Sequence, residues 1–172
     1  MTPNPIRLNL GCGLTIIPGW LNCDREKGRN IDVTLDMNDP LPFEDNSVDE
    51  ILAAHILEHL PEWYKSVIEC HRILKPNGKL TVRVPYGING DPFHVRFFYP
   101  NSMSYFISDT GRDRSLEVCN IPAFILIERR IFRVLPYQYH LNKYLHLNLT
   151  QNQILGRKCE IVWELRKPNG GP

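Results

Sequence analysis

The sequence RLNLGCGLTIIPGWLNCD, from Arg7 to Asp24, contains the pattern from which the fold can be predicted. A short, mostly apolar run, Leu8–Leu10, is typical of a buried strand, and a Gly-Cys-Gly turn, Gly11–Gly13, ends it. Because glycine has no side chain, a ligand's charged end can approach the backbone there, where successive N–H groups can bind an anion. A second strand then ends at Asp24, whose carboxylate can accept hydrogen bonds from two neighbouring ribose hydroxyls. The order strand, glycine turn, strand and acid therefore predicts a nucleotide-type cofactor site.

Two other interpretations of this segment stay open. One is structural, a tight turn followed by a surface acid, since a single Gly-X-Gly is a weak signal. The other is NAD binding, which needs a helix after the turn, a third glycine where Ile16 stands, and an acid about 20 residues on. Asp24 comes sooner, and the stretch between Gly13 and Trp20 leaves little room for a helix. NAD binding therefore ranks below another kind of nucleotide-type cofactor.

Three later segments follow the first in a recognisable order. They are IDVTLDMND from Ile31, LPFEDNSVDEILAAHILEHL from Leu41 and HRILKPNGKLTVRVP from His71. Together with GCG and the PGW turn, they resemble the class I S-adenosylmethionine-dependent methyltransferases, in particular the small type 11-like members. The resemblance covers residues 6–108 and is specific because five motifs occur in the family's order. Fold and cofactor can therefore be predicted from it.

The resemblance implies an α/β fold: a three-layer sandwich around a Rossmann-like, mostly parallel seven-stranded sheet with an antiparallel C-terminal hairpin. The length suits a single methyltransferase-like domain, residues 1–172. Residues 1–108 would form its cofactor-binding core, and residues 109–172 its C-terminal strands and an acceptor-side lobe. Beyond the first two strands, local patterns predict strands at 31–35, 48–54, 80–84, 123–134 and 159–166, helices at 61–74 and 101–108, and a weaker helical pattern at 137–155.

The cofactor implied is S-adenosyl-L-methionine, and the family's contacts carry over residue by residue. The glycine turn meets the methionine carboxylate, and the first acid meets the ribose. The second acid and the apolar residue after it meet the adenine, and the end of the fourth strand forms the opposite wall. These cofactor-binding residues are, in that order, Gly11, Cys12 and Gly13, Asp24, Asp36 and Met37, and Ala54 and His55.

The loop Asp91–Arg96 follows the fifth strand, on the side where acceptor substrates bind in this family. Methyl transfer needs an acceptor lone pair in line with the S–CH₃ bond, and a base helps where the acceptor is a hydroxyl or a protonated amine. His94 has the chemistry and the place for that base, and His59 is the second catalytic candidate. Arg96 can pair with a carboxylate or phosphate of the acceptor, or with Asp91 in a purely structural loop.

The segment from His55 to His59 is formally an H-x-x-E-H motif, which in a helix would place two histidines on one face for zinc. The motif lies at the end of a predicted buried strand, and no later acid is clearly placed as a third ligand. No metal ligand is therefore assigned, and a zinc hydrolase is the least favoured function. His59 has an equally good structural interpretation, as a helix cap or a core histidine.

Composition narrows the classes of function further. The net charge of +1 gives no global argument for nucleic acid, and no segment has the length of a transmembrane helix. Five cysteines without a C-x-x-C, and no signal-type apolar run at the start, favour the cytoplasm over an oxidising compartment. Acidic residues predominate in 1–110 and basic residues in 111–172, which indicates either two ordinary solvated surfaces or a basic C-terminal lobe that faces an acidic acceptor.

The predicted function is methyl transfer from S-adenosylmethionine to a small-molecule or saccharide-like acceptor. The alternative is a non-catalytic methyltransferase-like module that binds the cofactor or a protein partner. The lack of room for a helix before the first strand and the short crossover after Gly13 motivate that alternative. The same two features leave a sheet face uncovered near Ile16, Ile17 and Trp20, which predicts an exposed apolar patch and a homodimer.

Overall fold

The computed structural model describes residues 4–86, 91–108, 121–133 and 159–169. Seven strands form one sheet in the spatial order β3-β2-β1-β4-β5-β7-β6. One α-helix and two 3₁₀ turns, Leu57–His59 and Ser104–Phe106, accompany the sheet in the described residues. The strands and helix are β1 (Arg7–Leu10), β2 (Leu21–Asp24), β3 (Val33–Thr34), β4 (Val48–Ala54), α1 (Trp63–Ile73), β5 (Leu74–Pro85), β6 (Ile125–Arg133) and β7 (Cys159–Arg166).

The sheet is mixed, and its parallel part carries the edge that binds ligands in such folds. Strands β3, β2, β1, β4 and β5 pair in parallel, while β7 is antiparallel to both β5 and β6. The predicted seven-stranded, mostly parallel sheet with an antiparallel C-terminal hairpin is therefore confirmed. Because parallel strands end at the same edge, the residues after β1, β2, β3 and β4 lie next to one another.

One face of the sheet is the hydrophobic core. Along β5 the side chains of Leu80, Val82 and Val84 are fully buried, while the residues between them are only partly buried. This alternation follows from the period of two along a strand. Helix α1 packs on the buried face, and a long segment after β5 adds aromatic side chains to the same cluster. The shared cluster includes Val67, Cys70, Ile73, Phe98, Phe106, Phe124 and Trp163.

The opposite face carries charged side chains in the described strands. Residues directly opposite in register share a face, and Arg7, Glu50 and Lys79 are matched in this way across β1, β4 and β5. Their charged groups lie 3.5 Å (Arg7 to Glu50) and 3.9 Å (Lys79 to Glu50) apart. The row continues through Glu164, 3.5 Å from Lys79, to Arg130. Ile16, Ile17 and Trp20, near which the sequence predicted an apolar patch, are half-buried, and both the patch and homodimer formation stay predictions.

Most predicted elements are confirmed, and one is wrong. The strands at 48–54 and 159–166 have the predicted bounds, whereas β5 begins earlier than predicted because Leu74 already pairs with Val48. The helix predicted at 101–108 is a single 3₁₀ turn, Ser104–Phe106. The chain leaves that turn at Ile107, which is extended and bridges Phe124, so strand-like pairing ends the helix after one turn. The helical pattern predicted at 137–155 lies outside the described residues.

No helix in the described ranges is long and apolar enough to cross a membrane.

Acid should destabilise the fold through His71, on helix α1. Burial and then the nearby Lys167 charge lower the pKa of His71 to about 4, against about 6.5 in an unfolded chain. Between these values the unfolded chain binds more protons, so stability is lost as pH falls from 6.5 towards 4. Because the ring is only half-buried, we expect a loss of about 1–2 kcal/mol, measurable by urea unfolding at pH 7 and pH 4.5. His71→Asn should flatten this slope while His59→Asn keeps it; an unchanged slope in His71→Asn would contradict the assignment.

Candidate cofactor and acceptor site

A cavity of about 460 Å³ opens at the carboxyl ends of the parallel strands. Its walls come from the residues that follow β1, β2, β3 and β4, and from the loop after β5. Ligand pockets of small molecules have volumes of about 300–1,000 Å³. The lining residues are Gly11, Asp24, Arg25, Leu35, Asp36, Met37, Asn38, Ile56, His59, Leu60 and Phe93.

Gly11 forms the floor of the turn after β1, and no other residue fits there. Its φ of +62° lies in the left-handed region that glycine adopts at no steric cost. A Cβ at this position would lie 2.6 Å from Cγ1 of Ile56, far inside van der Waals contact. Glycine therefore leaves room for Ile56 on one side of the turn. On its other side, the backbone at Gly11 lines the cavity.

The carboxylate of Asp24 lies at the rim of the cavity and is held by two backbone N–H groups. Oδ2 accepts from the N–H of Gly13 at 2.8 Å, and Oδ1 accepts from the N–H of Glu26 at 3.1 Å. Each carboxylate oxygen can accept a further bond, so the group is oriented and still able to bind a pair of hydroxyls. The glycine turn and the acid that the sequence paired are thus joined directly.

The segment after β3 forms another wall of the cavity. Asp36 accepts from the backbone and side-chain nitrogens of Asn38 at 2.8 and 2.9 Å. Met37 is buried, and its carbonyl accepts the hydroxyl of Ser66 from helix α1 at 2.7 Å. With Leu35, Met37 gives an apolar surface beside a fixed acid, a suitable wall for a flat ring with polar edges.

The chain turns sharply after β4 at His55, whose φ of +55° is uncommon for a residue with a side chain. Its Nε2 lies 2.9 Å from Glu160 on β7, and its Nδ1 lies 3.3 Å from Glu58. Burial alone would lower the pKa of His55, but the two carboxylates outweigh it and raise the pKa to about 9. Both ring nitrogens face acceptors, so the imidazole is protonated at neutral pH. Ile56, and not His55, is the residue of this turn that lines the cavity.

Two histidines meet beside the cavity. His59 is exposed, and its Nδ1 lies 3.1 Å from the carbonyl oxygen of Phe93. The side chain of His94 is 3 % exposed, and its ring meets that of His59 edge-on at 4.7 Å between centroids. Nε2 of His94 lies 3.5 Å from a carboxylate oxygen of Asp91. His59 therefore faces the cavity, and the buried ring of His94 packs against the ring of His59.

The loop that carries His94 is fixed to the segment after β4. The N–H groups of Val95 and Arg96 both donate to the carbonyl of Glu58, at 3.0 and 3.1 Å. The Arg96 guanidinium donates from Nε and Nη2 to the carbonyl of Pro61, at 3.0 and 2.7 Å. Arg96 thus has the structural role that the sequence left open, but its partner is the carbonyl of Pro61 and not the predicted Asp91.

The H-x-x-E-H motif does not form the helical pair that a zinc hydrolase requires. Leu57–His59 is a three-residue 3₁₀ turn, and His55 precedes it in a left-handed conformation. His55 and His59 therefore do not share a helix face at a spacing of four. The chemistry that the motif suggested for this pair is not available in the structure.

The structure brings together part of the predicted site and adds residues to it. Of the sequence candidates, Gly11, Asp24, Asp36, Met37 and His59 line the cavity. The most important additions are the cavity residues Ile56 and Phe93 and the buried Glu58. Of these three, only Glu58 belonged to a sequence motif, H-x-x-E-H. Five candidates are not among the residues that line the cavity: Cys12, Gly13, Ala54, His55 and His94.

Comparison with known proteins agrees with this geometry. Residues 8–82 match the family model described as a methyltransferase domain. The predicted resemblance is confirmed. Two Mycobacterium tuberculosis proteins, each named a probable S-adenosylmethionine-dependent methyltransferase, are 32% identical over 79 residues, which is 41% of this chain. The match covers only 29% of the length of these relatives.

Solved structures show the same methyltransferase fold over nearly the whole chain. An Archaeoglobus fulgidus S-adenosylmethionine-dependent methyltransferase gives a TM-score of 0.57 at 14% identity, covering 96% of this chain and 87% of that one. The YcgJ protein of Bacillus subtilis gives 0.58 at 18%, covering 97% and 94%. The [4+2]-cyclase SpnF gives 0.61 at 15%, covering 97% and 76%. A cyclase with this fold means that the fold alone does not determine the reaction.

Proposed function

We propose that this protein transfers a methyl group from S-adenosylmethionine to a small-molecule acceptor bound beside His59. The observation that carries the proposal is the convergence of Gly11, Asp24 and Asp36 on one cavity at the carboxyl ends of β1, β2 and β3. The methyltransferase-domain match over residues 8–82 spans all three positions and supports the same reading.

The cavity residues fit the cofactor. Gly11 lines the cavity and has no side chain, which suits a carboxylate approaching the backbone. Asp24 can accept the ribose hydroxyls while its own two backbone bonds keep it oriented. Asp36 and Met37 supply the polar and apolar contacts for the adenine. When bound, S-adenosylmethionine supplies an electrophilic methyl group on a sulfonium.

His59 and His94 serve the acceptor in this proposal. His59 faces the cavity, and the loop from Asp91 to Arg96 is held against Glu58 and Pro61, which fixes the loop beside the site. Histidine at this place assists in one of two ways: it accepts the acceptor's proton, or it binds a cation that lowers the acceptor's pKa. Both leave the cofactor contacts unchanged.

Two residues that line the cavity bear on the chemical class of the acceptor. A small, acidic or saccharide-like molecule suits a cavity whose lining includes Arg25 and Asn38, because guanidinium and amide groups bind carboxylates and hydroxyls. Arg96 is not proposed for this role, since its guanidinium already binds Pro61.

A second candidate function is a cofactor- or partner-binding module without methyl transfer. The cyclase among the structural neighbours favours keeping it, because that protein's named activity is not methyl transfer. Product formation separates the two functions, since cofactor binding alone is common to both.

The test of cofactor binding is calorimetric titration with S-adenosylhomocysteine, with NAD as the competing ligand. We expect S-adenosylhomocysteine to bind, and at about 100 times its dissociation constant to stabilise the fold by about 2.7 kcal/mol. Folded protein that binds NAD but not S-adenosylhomocysteine would overturn the proposal.

Asp24→Ala should weaken S-adenosylhomocysteine binding by about 1.5–3 kcal/mol, the scale for hydrogen bonds to a charged group. That is a loss of about 10- to 150-fold in affinity. Asp39→Ala is the matched control, an exposed aspartate outside the lining of this cavity, and should leave the affinity unchanged. Equal affinities for the two variants would remove Asp24 from the site.

A further inference from the structure

We propose that Glu58, His59 and His94 bind one divalent transition-metal ion, which positions and activates the acceptor beside the cofactor cavity. The binding site stands on its own geometry, while its catalytic role rests on the proposed function. One ligating atom from each residue lies within 4.8 Å of the others. Ligands around one tetrahedral zinc at 2.0–2.1 Å are separated by about 3.4 Å, so side-chain shifts of about an ångström complete the site.

Glu58 is the strongest indication of a ligand. Its side chain is fully buried, and neither carboxylate oxygen accepts a hydrogen bond from the described residues. The nearest charged group is Nδ1 of His55, 3.3 Å from Oε1, and this leaves Oε2 without that contact. A buried carboxylate is costly unless it is paired and hydrogen-bonded or coordinates a metal. A cation beside Oε2 would supply what the protein's own groups do not.

His59 is held in the tautomer that a metal requires. A carbonyl oxygen can only accept, so the contact at 3.1 Å with Phe93 places the proton of the neutral ring on Nδ1. Nε2 then carries the lone pair. Metal-ligating histidines almost always donate their other N–H to a carbonyl or carboxylate in this way.

His94 shows the same arrangement with a carboxylate. Nε2 lies 3.5 Å from Oδ2 of Asp91, which favours a proton on that nitrogen and Nδ1 as the ligand. The outer contacts therefore form a consistent set: Asp91 for His94, Phe93 for His59, and His55 for Glu58. Outer contacts of this kind orient metal ligands.

The ligand set indicates the class of ion. Two imidazoles and one carboxylate with an open position are typical of zinc and of ferrous iron, and manganese accepts the same donors. Magnesium and calcium prefer oxygen ligands alone. Since His59 lies at the cavity wall, the open position faces the space where an acceptor would bind.

The role follows from the ion's effect on a hydroxyl. A bound cation lowers the pKa of an acceptor hydroxyl so that its proton leaves to solvent. The oxygen lone pair then forms the new bond to the methyl carbon, the carbon–sulfur bond breaks, and its electron pair stays on sulfur. Three of this chain's own side chains thus fix both the position and the ionisation of the acceptor.

The test is a calorimetric titration of the chelator-treated full chain with zinc, manganese and, without oxygen, ferrous iron, followed by metal analysis after desalting. We expect one equivalent of at least one of these ions to bind, and magnesium at the same concentration not to bind. Glu58→Gln and His94→Ala should each weaken binding by more than the about 10- to 100-fold that is typical of losing an outer contact. Glu62→Gln is the matched control, because Glu62 is an exposed carboxylate that bonds only Tyr64 and Lys65 in the described contacts.

His59→Phe keeps the test decisive if a buried variant fails to fold, because it replaces an exposed ring by another ring. It should fold and lose the ion. The inference would be overturned if none of the three ions bound. It would also be overturned if His59→Phe and Glu62→Gln had equal affinity for the ion. S-adenosylhomocysteine should bind the metal-free chain, so the two proposals fail separately. If the metal binds and S-adenosylhomocysteine does not, the proposed function is overturned and the metal site is supported. If S-adenosylhomocysteine binds and the metal does not, only the metal site is overturned.

Discussion

Replacing His59 by alanine is expected to lower turnover by about 10²–10⁴-fold, the usual worth of a group that assists proton loss in the transition state. S-adenosylhomocysteine affinity should stay within a few-fold of the wild type, because Asp24 and the glycine turn hold the cofactor. The measurement is methyl transfer from labelled S-adenosylmethionine to an acceptor found by screening small acids and saccharides. His94→Ala should have an effect of similar direction, since its ring supports His59 at 4.7 Å.

The matched control for these variants is His71→Asn. His71 packs against Phe124 on the core side of helix α1, at 4.9 Å between ring centroids, and takes no part in the cavity. It should keep wild-type turnover at neutral pH. If His59→Ala turned over as fast as His71→Asn, His59 would be a structural residue, and the acceptor would need neither a base nor a cation there.

Gly11→Ala is expected to destabilise the fold by about 2–5 kcal/mol and to abolish measurable cofactor binding. The left-handed backbone costs a residue with a Cβ about 1–2 kcal/mol. The collision of that Cβ with Ile56, at 2.6 Å, adds the about 1–3 kcal/mol typical of overpacking. Because Ile56 also lines the cavity, its displacement deforms the cofactor site. Thermal unfolding and calorimetric titration of the same sample measure both effects.

Gly13→Ala separates the two contributions. Gly13 also has a positive φ, +51°, but a Cβ there would meet nothing within 4 Å. It should therefore lose only the backbone contribution of about 1–2 kcal/mol. The double variant Gly11→Ala/Ile56→Ala should unfold at a higher temperature than the sum of its single variants predicts, since it removes the collision. Equal destabilisation by Gly11→Ala and Gly13→Ala would show that close packing at Ile56 does not matter.

The residues that could be predicted from the sequence are those that directly follow a strand. Gly11, Asp24 and Asp36 each come within two residues of a strand end in the structure, so finding the strand places the side chain. Strand β7 could be given its bounds because large apolar residues recur at every second position, Ile161, Trp163 and Leu165. These signals are local in the sequence, so they do not depend on contacts between distant segments.

The residues that could not be predicted depend on contacts between distant segments. His55 adopts a positive φ that its residue type does not indicate, and its side chain pairs with Glu160, 105 positions along the chain. That turn places Ile56 at the cavity and buries Glu58. The supposed helix after Asn101 failed for the same reason, because Ile107 pairs with a distant residue and the cap signal says nothing about length. A one-dimensional pattern does not contain these partners.

The row of charges from Arg7 to Arg130 has a consequence for solubility. Each ion pair is partly exposed and contributes only about 0–1 kcal/mol to folding. Stripping water from several such charges at once would cost far more than their pairing returns, so this surface repels other sheets and apolar chains. Natural sheets guard exposed strands against aggregation with charges in this way. A mixed sheet whose described strands carry paired charges on one face can thus remain dispersed at concentrations where an apolar face would precipitate.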